Sequence, residues 1–122
     1  MPRILVVHPA SDDRAMYAEY LKAHGYGVVS ASTTHAAVPL IASADLLITE
    51  LKVSGSMNAV TLIAGAKRGE WGRRIPVIVV TASILGELHD AARAAGADRV
   101  LLKPYFPRDL LNEVEAVLIR RR

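Results

Sequence analysis

The feature that most constrains the fold is a regular alternation between short apolar segments and longer segments with helical periodicity. A segment that is apolar at nearly every position suits a strand covered on both faces, as in parallel sheets. Such segments, rich in β-branched residues, occur at Ile4–Val7, Leu46–Thr49, Val77–Thr81 and Val100–Leu102. Gly27–Ala31 is a weaker candidate, which we place near a sheet edge. The pattern therefore predicts five strands.

Helical patterns fill the intervals between these strands. Ser11 can cap a first helix, and Gly25 suits the position just after its end. A second helix around Thr34–Ala42 contains Pro39, which should kink or shorten it. Pro107 suits the first turn of the last helix. The apolar faces of the third, fourth and fifth helices are formed by Ala59, Leu62, Ile63 and Ala66, by Leu88, Ala91, Ala92 and Ala95, and by Leu110, Leu111, Val114, Val117 and Leu118.

Five successive strand–helix units predict an α/β fold with a doubly wound parallel sheet, because crossovers between parallel strands are short and right-handed. Such sheets carry their functional crevice at the carboxyl ends of the strands. The candidate site residues are therefore those at or just after the strand ends: His8, Pro9, Glu50, Thr81 and Lys103.

Composition narrows the possible classes of protein. The 122 residues, 52% of them hydrophobic, suit one domain with a sizeable core. The net charge of +3 is mild, and the one dense basic run, Arg120–Arg122, is interpreted as a solvated tail rather than a nucleic-acid site. No cysteine is present, and no apolar run is long enough for a signal peptide or membrane span. We therefore expect a cytoplasmic protein without membrane or nucleic-acid partners.

Four landmarks in the right order resemble the receiver domains of two-component response regulators over nearly the whole chain. They are Arg3–Val7 as the first strand, Glu50 with Ser54-Gly55 and Asn58 after the third, Thr81-Ala82 after the fourth, and Ala95-Gly96-Ala97-Asp98 with Leu102-Lys103-Pro104 around the fifth. The resemblance implies a flavodoxin-like (βα)₅ fold with strand order 2-1-3-4-5, and a cis bond between Lys103 and Pro104. It also implies that residues 1–122 form a single receiver domain, and we expect no effector domain.

A working receiver, as the resemblance implies, supplies an acidic pair after the first strand and a phosphoacceptor aspartate after the third. Here His8 and Pro9 replace the acidic pair, and Glu50 replaces the phosphoacceptor. Mg²⁺ requires hard oxygen ligands, which imidazole and proline do not offer. Asp12 and Asp13 are expected in the first turn of the first helix, beyond the crevice, where negative charge is favourable. We therefore predict that the magnesium site is lost and that no cofactor is bound.

Thr81 and Lys103 match the hydroxyl and ammonium that contact the phosphoryl group in the family. We expect them to form a static network with the Glu50 carboxylate. Glu50 is open to two interpretations: a crude mimic of the phosphorylated state, or a tolerated polar residue paired with Lys103. Lys52 either places its ammonium where the metal would lie or is a solvated loop lysine. Val100 holds the position of the family's switch aromatic, so the usual threonine–aromatic switch is expected to be altered.

The residues therefore favour a stand-alone signalling module in a two-component pathway that acts through protein–protein contacts. The expected partner is a histidine kinase or a downstream effector. In the family, the face formed by the fourth helix, fifth strand and fifth helix mediates output and dimerisation, so a homodimer through this face is possible. Candidate surface charges there are Arg93, Arg99, Arg108 and Glu113. The alternative is a phospho-accepting receiver with a non-standard site.

Two other classes of function lack sequence support. The chain contains neither a Walker-type phosphate loop nor a GxGxxG motif after the first strand, and His8 has no companion metal ligands at suitable spacing. We therefore expect no enzymatic activity. Once five strand–helix units are assigned, no helix-turn-helix segment remains for DNA binding.

Overall fold

The computed structural model describes residues 1–119, so the predicted solvated tail at Arg120–Arg122 lies outside the described residues. Strand bounds agree with the predicted ones to within one residue. The five strands are β1 (Arg3–Val7), β2 (Gly27–Ala31), β3 (Leu46–Thr49), β4 (Val77–Thr81) and β5 (Arg99–Leu102). They form one parallel sheet in the order β2-β1-β3-β4-β5, which confirms the predicted fold class and strand order.

Five α-helices connect or follow the strands. They are α1 (Ser11–Ala23), α2 (Thr34–Ala37), α3 (Ala59–Arg68), α4 (Gly86–Ala94) and α5 (Pro107–Ile119). A 3₁₀ helix over Val38–Ser43 follows α2 directly, with Pro39 in its first turn. The predicted shortening of the second helix is therefore confirmed, because proline cannot donate the hydrogen bond that would continue an α-helix.

The core consists of two layers, one on each face of the sheet. Alternate residues of the central strands point to opposite faces, so Leu5 and Val7 enter one layer while Ile4 and Val6 enter the other. On the first face the sheet packs against side chains of the 3₁₀ helix, α3 and α4, including Ile41, Leu62, Ile63, Ala66 and Ala92. On the second face it packs against α1 and α5 through Tyr17, Leu21, Leu110, Leu111, Val114 and Val117.

Several local predictions can be compared with the observed ends of the helices. Ser11 is the first residue of α1 rather than its cap. The cap position belongs to Ala10, whose side chain has no group to accept a hydrogen bond. Gly25, with φ of 93°, follows the C-cap of α1 as predicted. Asn58 caps α3 by accepting the backbone N–H of Thr61 at 2.9 Å. The Lys103–Pro104 bond is cis, as the resemblance implied.

Trp71 lies in the loop before β4, at the amino end of the sheet and away from the carboxyl ends of the strands. Its ring covers Gly65 of α3 so closely that a Cβ at Gly65 would collide with it. Trp71 is therefore an anchor packed on its neighbours. Its position also makes tryptophan fluorescence a remote probe for events in the crevice.

Asp98 is expected to make a measurable contribution to stability, because it joins α3 to two strands. Its carboxylate accepts hydrogen bonds from the Lys67 ammonium at 2.9 Å and from the Val77 backbone N–H at 2.8 Å. Replacing Asp98 by Ala should lower the free energy of unfolding by about 2 kcal/mol, because the Val77 donor loses its partner. The measurement is urea denaturation.

The matched control for this prediction is Lys67→Met, which removes the ammonium but leaves the Asp98–Val77 hydrogen bond in place. It should lower the free energy of unfolding by less than Asp98→Ala does, because a partly exposed ion pair contributes on the order of 1 kcal/mol or less. Equal losses for the two variants would contradict the assignment of the larger part to the Val77 bond.

Candidate functional site

The predicted site residues meet at the carboxyl edge of the sheet. His8 follows β1, Glu50 follows β3, Thr81 ends β4 and Lys103 follows β5. Because β1, β3, β4 and β5 are consecutive neighbours in the sheet, these positions line one crevice. His8, Glu50 and Thr81 are buried there, with 4%, 7% and 0% of their surface exposed.

The His8 ring is contacted on both nitrogens. Its Nδ1 accepts the backbone N–H of Ala10 at 3.1 Å. Its Nε2 lies 2.7 Å from the Lys103 Nζ and 3.0 Å from the Asp13 Oδ2. The position that carries a carboxylate in a working receiver is thus filled by an imidazole engaged within the protein.

Lys103 is paired with an acidic residue that we placed outside the crevice. Its ammonium lies 3.2 Å from the Asp13 Oδ2 and 6.0 Å from the centre of the Tyr17 ring. Asp12 and Asp13 do occupy the first turn of α1, as predicted. The expectation that both lie beyond the crevice is wrong for Asp13, because α1 begins so close to β1 that its first turn faces the strand ends.

Glu50 does not pair with Lys103. Its Oε2 instead accepts the backbone N–H of Leu51 at 2.6 Å. The Thr81 hydroxyl accepts the backbone N–H of Ser83 at 3.1 Å. The predicted Glu50–Lys103–Thr81 network is therefore wrong, because Asp13 competes for the ammonium and local backbone donors satisfy the other two side chains.

Arg14 fixes the loop that carries His8. Its Nη1 donates to the carbonyl oxygens of His8 at 2.7 Å and of Pro9 at 3.1 Å. Sequence reasoning missed both Asp13 and Arg14 as site residues. The available signal was their position in the first helical turn, immediately after the loop that crosses the crevice.

Burial is the main cause that lowers the pKa of His8 from its ordinary value of 6.5, and the Lys103 ammonium lowers it further. Asp13 and Glu50 oppose this shift by favouring the charged ring. The imidazole is therefore neutral at neutral pH. Protonation of the ring would place an imidazolium 2.7 Å from the Lys103 ammonium, so that two positive charges would lie at hydrogen-bond distance.

A groove of about 280 Å³ adjoins the crevice between α1 and α5. The hydroxyls of Tyr17 and Tyr105 lie 2.6 Å apart beside it, which together with burial raises the pKa of Tyr105 well above its ordinary value. Tyr105 also packs against the core. The groove is lined by Asp13, Met16, Tyr17, Tyr20, Lys103, Pro104, Tyr105, Pro107 and Leu110.

The remaining predicted positions lie where the strand order places them. Val100, at the switch-aromatic position, is half-buried and packs against the core on the α3–α4 side. Lys52 is exposed, which favours the solvated-lysine interpretation over an ammonium held in the crevice. Within residues 1–119, no group of three or more His, Cys, Asp or Glu side chains is arranged to hold a metal ion.

The face formed by α4, β5 and α5 carries the predicted charges. Arg99 of β5 and Glu113 of α5 form an ion pair with 2.6 Å between Nε and Oε2, and each side chain is about one-third exposed. Arg93 lies 4.0 Å from Asp90 on α4, and Arg108 is exposed. No helix in the described part of the chain is long and apolar enough to cross a membrane.

Known proteins match this chain in sequence and fold. The phosphate regulon transcriptional regulatory protein PhoB of Escherichia coli K12 is 32% identical over 122 residues, covering 97% of this chain and 52% of PhoB. The chain thus spans about half the length of the curated relative. A CheY-like receiver domain protein from Methanospirillum hungatei JF-1 is 27% identical, with a TM-score of 0.88 and coverage of 98% of this chain and 95% of that one.

A further structural match is the receiver domain of the sensor histidine kinase PA1611 from Pseudomonas aeruginosa PAO1, which has magnesium coordinated in its active-site cleft. It is 21% identical, with a TM-score of 0.83 over 96% of this chain and 97% of that one, and so bears on the fold alone. The sequence profile of the response regulator receiver domain matches residues 4–115. The chain therefore belongs to the response regulator receiver domain family, whose members are signalling modules of two-component systems rather than enzymes.

Proposed function

We propose that this chain is a receiver-type signalling module that acts through protein–protein contacts and does not use the Mg²⁺-dependent phosphorylation of its family. The observation that carries the proposal is the engagement of Lys103 with Asp13 and His8. The ammonium that would contact a phosphoryl group already has partners inside the protein. The crevice therefore has a stable arrangement of charges without metal or phosphate.

The donor atoms around the crevice do not fit Mg²⁺. This ion prefers several oxygen ligands in octahedral geometry. His8 offers a ring nitrogen that is already hydrogen-bonded, and Pro9 offers no side-chain ligand. One Glu50 oxygen is taken by the Leu51 N–H, and the Lys103 ammonium would repel a divalent cation. We therefore derive no metal-dependent step for this chain.

Glu50 fits the role of a tolerated polar residue better than that of a phosphoaspartate mimic. A mimic would present its carboxylate to Thr81 and Lys103. The Glu50 carboxylate instead accepts the N–H of the next residue, Leu51, and Lys103 pairs with Asp13. This arrangement supports a fixed conformation of the crevice rather than one held active by Glu50.

Output is assigned to a protein surface rather than to phosphate chemistry. The α4–β5–α5 face offers the partly exposed Arg99–Glu113 ion pair and an exposed apolar side chain at Leu102, of which 44% is accessible. This combination suits a protein partner, either a kinase or effector or a second copy of the chain. We further propose that the module acts in the cytoplasm.

The test combines a metal titration with a phosphodonor assay. We expect amide NMR shifts near His8 and Glu50 to stay constant at millimolar Mg²⁺, and acetyl phosphate to add no phosphoryl group by mass spectrometry. The PA1611 receiver domain, which coordinates magnesium in its cleft, is a positive control for the titration. Saturable shifts together with phosphoryl incorporation in this chain would overturn the proposal.

One observation favours the alternative of a phospho-accepting receiver with a non-standard site. The Asp13 carboxylate reaches the crevice, so a second oxygen donor lies on the same side of the sheet as Glu50. If the chain does accept phosphate, Asp13→Asn should abolish metal binding and Glu50→Gln should abolish phosphoryl incorporation. Under our proposal neither variant changes either measurement.

A further inference from the structure

The surroundings of the His8 ring impose a condition on its protonation. Two hydrogen-bond donors point at the ring: the Ala10 backbone N–H at Nδ1 and the Lys103 ammonium at Nε2. A neutral imidazole has one acceptor nitrogen, and a protonated imidazole has none. The ring can therefore satisfy at most one of these donors, and it satisfies one only while it is neutral.

The contacts also indicate which neutral form is present. If the proton is on Nε2, the ring donates to Asp13 at 3.0 Å and accepts from Ala10 at 3.1 Å, so two contacts are satisfied and the contact with Lys103 at 2.7 Å sets donor against donor. If the proton is on Nδ1, the ring accepts from Lys103 but places one donor against another at Ala10. The Nε2–H form is therefore favoured, with Asp13 shared between His8 and Lys103.

A second proton disrupts both sides of the ring. It removes the acceptor of the Ala10 N–H, which lies in the loop between β1 and α1. It also places an imidazolium beside the Lys103 ammonium, with the Asp13 carboxylate in contact with both cations. Lys103 is the group that can leave, because 21% of its side chain is already exposed at the edge of the groove.

We propose that protonation of His8 releases Lys103 from the crevice and loosens the loop over residues 8–10, so that the three groups form an acid-sensitive latch. At a pH below the midpoint of the His8 titration, Asp13 pairs with the His8 imidazolium, and the Lys103 ammonium turns to solvent. There it is available to an acidic group on a partner. The latch deepens the proposed function, since it would regulate the same crevice without phosphate.

All charged groups that act on the ring enter this balance. Asp13 and Glu50 favour the imidazolium, whereas Lys103 and Arg14 oppose it, as does burial, which is the largest effect. The net result is a pKa for His8 below 6.5. Between that pKa and 6.5 the unfolded chain binds more protons at this site than the folded chain. The contribution of the neutral His8 ring to the free energy of unfolding is therefore full above pH 6.5. It is lost as the pH falls through the folded-state pKa of His8.

The experiment is a pH titration of the isolated chain from pH 8 to about 4.5, followed by NMR of the histidine rings, the backbone amides and the Lys103 side chain. His8 is assigned by comparison with His8→Gln. We expect the Ala10 amide and the Lys103 side-chain signals to shift with the same midpoint as the His8 ring. A His8 titration that leaves Ala10 and Lys103 unmoved would overturn the latch, as would a ring that stays neutral throughout.

Three variants separate the latch from a general effect of acid. Lys103→Met should raise the His8 midpoint by about one pH unit, because it removes the adjacent cation. Lys52→Met is the matched control, since Lys52 is exposed and should leave the midpoint unchanged. His8→Gln keeps an uncharged hydrogen-bonding side chain and should abolish the pH response of Lys103. Equal effects of the two lysine variants would contradict the proposal.

The titration needs neither Mg²⁺ nor a phosphodonor, so the two proposals can fail separately. A chain that accepts phosphate but shows the linked titration keeps the latch and loses the proposed function. A chain that does not accept phosphate and also lacks the linked titration keeps the proposed function and loses the latch.

Discussion

Replacing His8, Pro9 and Glu50 together with aspartate is expected to give a chain that accepts a phosphoryl group from acetyl phosphate, a reaction that we propose the natural chain does not carry out. The three substitutions restore oxygen donors at the positions of the family's acidic pair and phosphoacceptor. They also remove the ring that contacts Lys103, so a phosphoryl oxygen then competes with the Asp13 carboxylate for the ammonium. The measurements are Mg²⁺-dependent amide shifts and intact-protein mass after incubation with acetyl phosphate.

Two controls make this result interpretable. Glu50→Asp alone should not become phosphorylated, because His8 and Pro9 still offer no ligand for the metal. Adding Lys103→Met to the triple variant should reduce phosphorylation while leaving metal binding in place. A single Glu50→Asp variant that is phosphorylated as readily as the triple variant would show that the loss of the acidic pair is not the barrier.

Gly55→Ala is expected to lower the free energy of unfolding by about 3 kcal/mol, because it combines backbone strain with a collision. Gly55 has φ of 142°, and a Cβ there would collide with the Thr34 hydroxyl and lie 2.9 Å from the Thr34 backbone nitrogen. Thr34 is fully buried, and its hydroxyl donates to the Met57 carbonyl at 2.7 Å. The clash therefore falls on a contact that holds the β3–α3 loop against α2. Urea denaturation with native-state hydrogen exchange in residues 54–58 measures the loss.

Gly25→Ala is the matched control, since Gly25 also has a positive φ, of 93°, but nothing lies within 4 Å of a Cβ built there. It should cost about 1 kcal/mol from backbone strain alone. The difference between the two variants isolates the collision with Thr34. Equal costs would mean that the loop moves away from Thr34 without penalty.

The fold could be predicted from the sequence because its two strongest signals are local. Runs such as Leu46–Thr49 and Val77–Thr81 do not alternate between apolar and charged residues. Both faces of each strand are therefore buried, as in a parallel sheet covered on both sides. Pro39 marked the point where α2 gives way to a 3₁₀ helix. The predicted cap of α1 was wrong by one position. Ser11, a residue suited to capping, is the first residue of the helix, and Ala10 occupies the cap position without a side-chain hydrogen bond.

The site could be predicted only in part, because its contacts depend on side-chain competition across the crevice. The positions of His8, Glu50, Thr81 and Lys103 followed from the strand ends. Their partners did not, since charge alone suggested that Lys103 pairs with Glu50. The choice of Asp13 instead is set by the position of the first turn of α1 at the strand ends, which is a matter of tertiary geometry rather than of any local pattern.

The contacts of Lys103 have a consequence for the order in which the chain can fold. They join residues that lie 90 and 95 positions apart, so they pair the first strand–helix unit with the last. Bringing such distant residues together is slow and costs conformational entropy. The packing of the sheet between them must compensate this entropy cost. During synthesis from the amino terminus, Asp13 and His8 therefore remain without their cation until β5 has docked. The crevice therefore cannot form its native contacts before β5 has docked.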